Sequence, residues 1–236
     1  KGGYPAGGGV QNYFQHKTIL SGNVGDVSLD TDNSYHVITV EIAIDTSIIE
    51  GLIVTSGNAN GTGRKEYGAG LYHRIEGLDE ISTLIIKNCE FFNNRGKYGS
   101  GITNVSKNGA QARISIQNCN IHHNYASFHG GGIYDLQTIN GSSFTNVENS
   151  LIHHNSAWYA GGAFALVGNQ NSTGNPSFLH CTITDNKTFS NDNLTGGIWI
   201  NQEEGSSLSA YLKNSILWGN ENKGPNISQI SPESTQ

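Results

Sequence analysis

The sequence predicts an all-β fold, a β-solenoid (single-stranded parallel β-helix) with one rung about every 30 to 34 residues. Three observations predict it. One motif returns five times at nearly constant spacing, and apolar and polar residues alternate within its copies. In addition, no segment keeps an i, i+3, i+4, i+7 apolar stripe long enough for a helix. Rungs of such a solenoid stack about 4.8 Å apart, so equivalent residues lie on one another.

The repeat is clearest in three columns of equivalent positions. One column is asparagine in every copy: Asn94, Asn124, Asn155, Asn186 and Asn220. Five residues earlier stands a small residue, with spacings of 30, 31, 31 and 34: Cys89, Cys119, Ser150, Cys181 and Ser215. Three residues before the asparagine stands a large apolar residue: Phe91, Ile121, Ile152, Ile183 and Leu217. We expect the asparagines to form a ladder at a turn and the cysteines to be buried and reduced.

Within one copy, the stretch RISIQNCNI has the alternation of a half-buried strand. We expect Ile114, Ile116, Cys119 and Ile121 to point inward. A glycine precedes the strand that follows each turn, where a side chain would obstruct the bend. The aligned glycines are Gly70, Gly101, Gly132, Gly162 and Gly197.

The ends of the chain differ from the middle. We expect residues 1–35 to be a glycine-rich cap or first coil, and residues 36–225 to hold the repeats. Residues 226–236 are expected to be a linker or the start of a further coil. The sequence contains no methionine, so residue 1 is not a translation start and flanking domains of the same polypeptide are expected.

Composition restricts the classes of partner. The formal net charge of -6 argues against nucleic acid or an anionic membrane surface. No apolar run reaches the roughly 18 residues that a membrane-spanning helix needs. Three cysteines fit neither a complete disulfide framework nor a C-x2-C zinc set, and no cofactor is expected.

Two recurring motifs carry a resemblance to known repeat proteins. Gly161 to Phe164, Gly131 to Ile133 and Thr195 to Ile198 are variants of a Gly-Gly-Ala-Ile motif. Phe91 to Asn94 reads Phe-x-x-Asn, and the later copies have Ile for Phe. At these positions the chain resembles right-handed parallel β-helix proteins of the pectin-lyase-like type, especially the repeats of chlamydial polymorphic outer-membrane proteins. The resemblance implies a right-handed coil.

Other stretches are similar to large secreted repeat proteins of Bacteroidetes-type bacteria: GGYPAGGG, TILSG, DNSYHVITV and NSILWGN. This likeness implies an extracellular or cell-surface location. It favours an adhesin-like stalk or binding module for glycan or protein ligands. The partner would then be a polysaccharide or a protein on a host or neighbouring cell.

The alternative is a carbohydrate-active enzyme, a polysaccharide lyase or glycoside hydrolase of the same fold. Such enzymes gather carboxylates around a cation or pair them for acid–base chemistry. The carboxylates of the repeats are Glu90, Asp135, Glu148, Asp185, Asp192, Glu203 and Glu204. No repeat column holds more than one of them, and the chain contains no Asp-Asp pair. No catalytic residue is assigned, and a groove with several carboxylates and a base would distinguish the enzyme from the binding module.

Six residues are candidates for ligand binding: Tyr98, Phe128, Trp158, Tyr159, His122 and His153. Exposed aromatic rings suit sugar rings or a protein partner, whereas covered rings would shield the glycine turns. The twice-repeated Ile-His-His-Asn places His122 beside His153, and His123 beside His154. Asp185 continues the second line, but three ligands in a row do not converge on one tetrahedral centre, so no metal is assigned.

Overall fold

A computed structural model describes residues 1–4, 6–13, 15–41, 46–190, 194–203, 205–223 and 229–234. It confirms the predicted fold class: parallel sheets stacked as a β-solenoid of about six turns. In each of the five coils between residues 52 and 213 the chain passes through four sheets, named below, in the order A, D, B and C. Of the carboxylates considered from the sequence, Asp192 and Glu204 lie outside the described residues.

Four sheets run along the solenoid. Sheet A consists of Thr18–Ser21, Leu52–Thr55, Glu90–Phe92, Asn120–His122, Leu151–His153, Thr182–Thr184 and Ile216–Trp218. Sheet D consists of Asn58–Ala59, Arg95–Tyr98, Tyr125–His129, Ser156–Ala157 and Lys187–Thr188. Sheet B consists of Ile38–Glu41, Leu71–Glu76, Ile102–Lys107, Ile133–Thr138, Phe164–Gly168, Ile198–Gln202 and Ile230–Ser234. Sheet C consists of Thr46–Glu50, Ile81–Lys87, Gln111–Gln117, Ser142–Glu148, Thr173–Gly174, Ser177–Leu179, Ser207–Leu208 and Tyr211–Lys213.

The core fills the inside of the coils. The four residues expected inward, Ile114, Ile116, Cys119 and Ile121, are all buried. They belong to one continuous apolar cluster that extends from Val54 to Ile200. All three cysteines are buried and free, as the column predicts. The only described helix is a 3-10 turn at Gly63–Glu66, and none of the described residues forms a helix able to cross a membrane.

The asparagine column forms a continuous ladder at the corner between sheets A and D. The side-chain amide of Asn124 donates to Oδ1 of Asn155 at 2.9 Å and to the carbonyl of Phe91 at 2.9 Å. Its own Oδ1 accepts from the side-chain amide and the backbone N–H of Asn94. The pattern repeats up to Asn220, whose amide donates to Gln229. These buried amides satisfy the backbone at the corner, which explains why five successive coils keep asparagine there.

One alignment made from the sequence is wrong by a single residue. Sheet B pairs Ile133 with Phe164, so Ala163 rather than Gly162 continues the column of Gly70, Gly101 and Gly132. The hydrogen-bond register of the strands decides this. A Cβ built on Gly132 would lie 2.6 Å from the carbonyl oxygen of Ala163, so the column position is crowded by the rung above.

A chain of buried polar side chains crosses three coils between sheets B and C. Ser82 and Asn104 flank the imidazole of His73, at 2.8 Å and 2.6 Å. Asn104 also donates to the carboxylate of Asp135, which accepts from Gln137 and Thr145 as well. We call His73, Ser82, Asn104, Asp135, Gln137, Ser143 and Thr145 the internal polar network. Each member is fully buried, so its hydrogen bonds replace those lost to water.

Candidate functional site

The corners on either side of sheet A are built from residues with positive φ. One corner column precedes the sheet A strands: Gly51, Asn88, Asn118, Asn149, His180 and Asn214. The other follows them: Ser56, Asn93, His123, His154, Asp185 and Gly219. Glycine and asparagine tolerate this left-handed conformation, which explains their prevalence. Each sheet A strand directs its two outward residues toward solvent, and so do the corner residue before it and the corner residue after it.

A groove of about 780 Å³ follows the first of these corners along the solenoid axis. We call it the axial groove. Its floor is one outward column of sheet A, from five successive rungs: Ile53, Glu90, Asn120, Leu151 and Thr182. Its rim is the corner column Asn88, Asn118, Asn149 and His180, and Tyr13 and Lys17 stand at its N-terminal end. Four spacings of about 4.8 Å make the floor about 19 Å long.

The lining of the axial groove mixes apolar side chains with amide groups, and its charged members are Lys17 and Glu90. Amide groups recur along it at Asn88, Asn118, Asn120 and Asn149. Among the described residues that line it, Glu90 is the single carboxylate, and its Oε1 lies 3.0 Å from Nε2 of His122. Acid–base hydrolysis needs a second carboxyl group at a defined distance, and a lyase needs several around a cation. The described residues that line the groove do not supply such a set.

Next to the floor stand four histidines, which we call the histidine tetrad: His122, His123, His153 and His154. The rings of His122 and His153 are stacked with centroids 4.9 Å apart, and those of His123 and His154 are 5.2 Å apart. Within each rung the two Nδ1 atoms lie 2.7 Å apart. The stacking agrees with the sequence alignment, whereas ligand binding by His122 and His153 stays a prediction.

The hydrogen bonds define which nitrogen atoms carry protons in the neutral tetrad. Nε2 of His122 donates to Glu90, and Nε2 of His153 donates to Oδ1 of Asn120 at 3.0 Å. Their Nδ1 atoms then accept from Nδ1–H of His123 and His154. In each pair the Nδ1 atoms face each other rather than a common point, so a metal ion would have to turn the rings apart.

Burial and the neighbouring rings oppose charging of two members of the tetrad, His153 and His123. Burial, followed by the neighbouring His122, His154 and His123, lowers the pKa of His153 to about 4, against a smaller raising effect of Asp185. Burial and the charges of His122 and His154 also lower the pKa of His123. At neutral pH these two rings are therefore uncharged.

Stacking along the axis also determines which part of each ring reaches solvent. Phe92, His122 and His153 form one ladder with interplanar angles of 6° and 17°. Each ring covers the face of its neighbour, so the ladder presents ring edges outward. A sugar ring stacks on an exposed aromatic face, and the ladder therefore lines the site rather than serving as its platform.

The other aromatic candidates lie elsewhere, at the corner between sheets D and B. Tyr98, Phe128 and Tyr159 are half-buried, and Phe128 stacks on Tyr159 at 5.2 Å. Beneath them lie the buried rings of Tyr134 and Trp199. In this arrangement the three half-buried rings cover the buried rings below them and do not form an open platform for a sugar.

Trp158 differs from its neighbours. It is 55 % exposed, and its ring centroid lies 6.3 Å from that of Phe189. The structure therefore separates the six candidate residues into two places, with His122 and His153 beside the axial groove and the aromatic residues away from it.

Several groove residues escaped the sequence reasoning. The rim asparagines recur directly before the small-residue column, but this recurrence alone does not indicate a binding site. Lys17 and Tyr13 come from outside the repeats and carried no signal. The exposed ring of Trp218, 74 % accessible at the last rung of sheet A, continues the column of His122 and His153.

We compared the chain with models of protein families, with curated proteins and with solved structures. None of the three comparisons found a match. The site must therefore be interpreted from its own geometry.

Proposed function

We propose that the chain is a non-enzymatic binding module that holds an extended neutral glycan in the axial groove. The observation that carries this proposal is the groove itself: an open channel about 19 Å long with a side-chain amide on its rim at three successive rungs, Asn88, Asn118 and Asn149. Amides both donate and accept hydrogen bonds, as sugar hydroxyl groups do. A pre-formed line of such groups suits a linear polymer of hydroxylated units.

The direction of the strands argues against an extended peptide as the ligand. Peptides commonly bind by adding a strand to a sheet edge. The strands of sheet A run across the groove, so the groove offers no backbone edge along its length. Moreover, side chains of an extended peptide alternate with a repeat of about 6.6 Å, which is out of step with rungs about 4.8 Å apart.

We infer further that this module belongs to a secreted or cell-surface protein of the pectin-lyase-like β-helix type and acts in adhesion. The Gly-Gly-Ala-Ile and Phe-x-x-Asn motifs support the family, and the similarity to secreted repeat proteins supports the location. The stiff stack of coils supports a stalk that displays its groove along one side.

A pair of substitutions drawn from the chain itself tests the groove. Asn118→Gly with Asn149→Gly removes two rim amides without backbone strain, because Gly51 occupies the same corner column with φ 68°. Asn140→Gly is the matched control, since Asn140 also has positive φ and is exposed on another corner. The probes are soluble cellulose-derived, xylan-derived and mannan-derived oligosaccharides, measured by calorimetry at neutral pH.

We expect at least one probe to bind the wild-type chain and the Asn140→Gly control equally well. The double rim variant should bind it roughly tenfold more weakly, which corresponds to about 1.4 kcal/mol. Equal binding by the double rim variant and the Asn140→Gly control would show that the groove does not hold the ligand. Shortening of the oligosaccharides during incubation would instead favour the enzyme.

A further inference from the structure

The strand Ile216–Trp218 of sheet A exposes two large apolar side chains. Ile216 is 61 % exposed and Trp218 is 74 % exposed. Leu217, between them, packs against the core cluster. Because successive side chains of a strand alternate between its two faces, Ile216 and Trp218 both lie on the outer face of the sheet. Neighbouring apolar side chains that are exposed to this degree mark a candidate binding surface.

The strand register makes this pair a continuation of the axial groove. Ile216 follows Thr182 in the floor column, and Trp218 follows Thr184 in the column beside the floor. The corner before the strand is Asn214, which is exposed and has φ 52°. This rung therefore repeats the groove, with a rim amide, an apolar floor residue and an indole at its side. We call Ile216 and Trp218 the terminal platform.

Trp218 differs from the rings that come before it in the same column. Phe92, His122 and His153 cover one another's faces, with centroids 5.4 Å and 4.9 Å apart. The neighbour of Trp218 in the column is Thr184, whose side chain is too small to cover an indole. Trp218 therefore offers the ring face that the histidine ladder lacks, and a sugar ring stacks on such a face.

The position of the terminal platform lets one ligand contact both the platform and the rim. Four spacings of about 4.8 Å lead from Ile216 back to Glu90, through the rungs of Thr182, Leu151 and Asn120. A linear ligand that begins on the platform and spans about 19 Å therefore passes all three rim amides.

We propose that the terminal platform stacks against a pyranose ring and selects β-linked chains of all-equatorial units, such as those of cellulose. This inference rests on the proposed function, because the ligand is the glycan of the axial groove. In such a chain each unit is turned over relative to the one before, so the platform meets either face of the ring. Both faces of a glucose unit present C–H groups. One face of a mannose unit carries an axial hydroxyl group, which loses its hydration against an apolar surface.

The preceding rung of the chain supplies the test variant. Ile216→Thr with Trp218→Thr copies Thr182 and Thr184, so both positions keep residues that suit a strand. Trp158→Thr is the matched control, because Trp158 is also exposed but does not line the groove. The probes are cellohexaose and β-linked mannohexaose, and their affinities are measured by calorimetry at neutral pH.

We expect the wild type and the control to bind cellohexaose roughly tenfold more tightly than mannohexaose. In the platform variant this ratio should fall below about twofold, because cellohexaose loses its stacking contact. A variant that merely unfolded would lose both ligands, whereas loss of the platform changes their ratio. Equal affinities in the wild type, or a ratio that the variant retains, would refute the platform and leave the groove as the binding site.

Tryptophan fluorescence locates the contact directly. All three tryptophans lie among the described residues and Trp199 is buried, so Trp218 is the single exposed indole in Trp158→Thr. Saturating cellohexaose should shift its emission to shorter wavelength and protect it from quenching by acrylamide. Unchanged emission despite calorimetric binding would overturn the inference and keep the glycan function.

Two other results have distinct meanings. An emission shift that depends on protein concentration without ligand, together with dimers in sedimentation, would assign the platform to a second copy of the chain and overturn the inference. Absence of calorimetric binding and of any emission change with both probes would refute the glycan function and the platform together.

Discussion

Replacing Asp135 with asparagine removes a buried carboxyl group from the internal polar network at almost constant shape. Burial raises the pKa of Asp135 from 3.8 to about 6, although hydrogen bonds from Thr145, Ser143, Gln137 and Asn104 lower it. Because the pKa is higher in the folded chain than in the unfolded chain, folding favours the protonated acid. This contribution to stability is complete below pH 3.8 and is lost as the pH rises through about 6.

The magnitude follows from the two pKa values. The difference between 3.8 and about 6 corresponds to about 3 kcal/mol, at about 1.36 kcal/mol per pH unit. Asparagine does not titrate, so this pH dependence should vanish in Asp135→Asn. We therefore expect the free energy of unfolding of the variant, relative to the wild type, to rise by about 3 kcal/mol from about pH 3.5 to about pH 7.

Urea unfolding at a series of pH values, followed by circular dichroism, measures this difference. Thr145→Val is a useful companion, because it removes a hydrogen bond to the carboxylate without removing the carboxyl group. Its pH dependence should be at least as large as that of the wild type. Parallel curves of stability against pH for the wild type and Asp135→Asn would refute the reasoning, since they would show that the carboxyl group has the same pKa in both states.

Other expected outcomes concern the second titrating member of the network, the ladder, the cysteines and the tetrad. Burial lowers the pKa of His73 to about 4, so its contribution is present above pH 6.5 and is lost as the pH falls toward 4; His73→Gln should gain stability relative to the wild type over that range, and a constant difference would contradict this. Asn124→Ala should cost about 4 kcal/mol, because Asn94 and the Phe91 carbonyl lose buried partners, whereas the exposed Asn146→Ala should cost well under about 1 kcal/mol. Thiol reagents should label Cys89, Cys119 and Cys181 slowly in the native chain and fast after unfolding; fast native labelling would contradict their inward positions. Zinc or nickel should leave the melting temperature unchanged, and a rise that is abolished by His122→Ala with His153→Ala would show a metal site.

The sequence was sufficient to predict the solenoid because its strongest constraints act within one rung and repeat. An inward column must be apolar, and a buried corner amide must bond the rungs above and below, so Ile121 and Asn124 recur at fixed spacing. The single-residue error at Gly162 arose because glycines are adjacent there and only the strand register distinguishes them.

The site could be predicted only in part. The stacking of His122 on His153 follows from the repeat, whereas their contacts with Glu90 and Asn120 depend on floor residues that change from coil to coil. Likewise, whether Tyr98 and Phe128 present faces or edges depends on the side chains beneath them. One of these is Trp199, which lies 71 residues after Phe128 in the sequence. The groove itself combines a corner, a strand and an N-terminal segment, which no single motif contains.

The central claim is that this groove binds one linear neutral glycan along the solenoid axis. Its most direct test is the affinity of the intact chain for an oligosaccharide series of the best-binding type, from disaccharide to octasaccharide. Since a rim amide recurs at three successive rungs, we expect affinity to rise with chain length until the ligand spans about 19 Å, and then to remain constant. Equal affinity for the shortest and longest members, or no binding by any of them, would contradict the account.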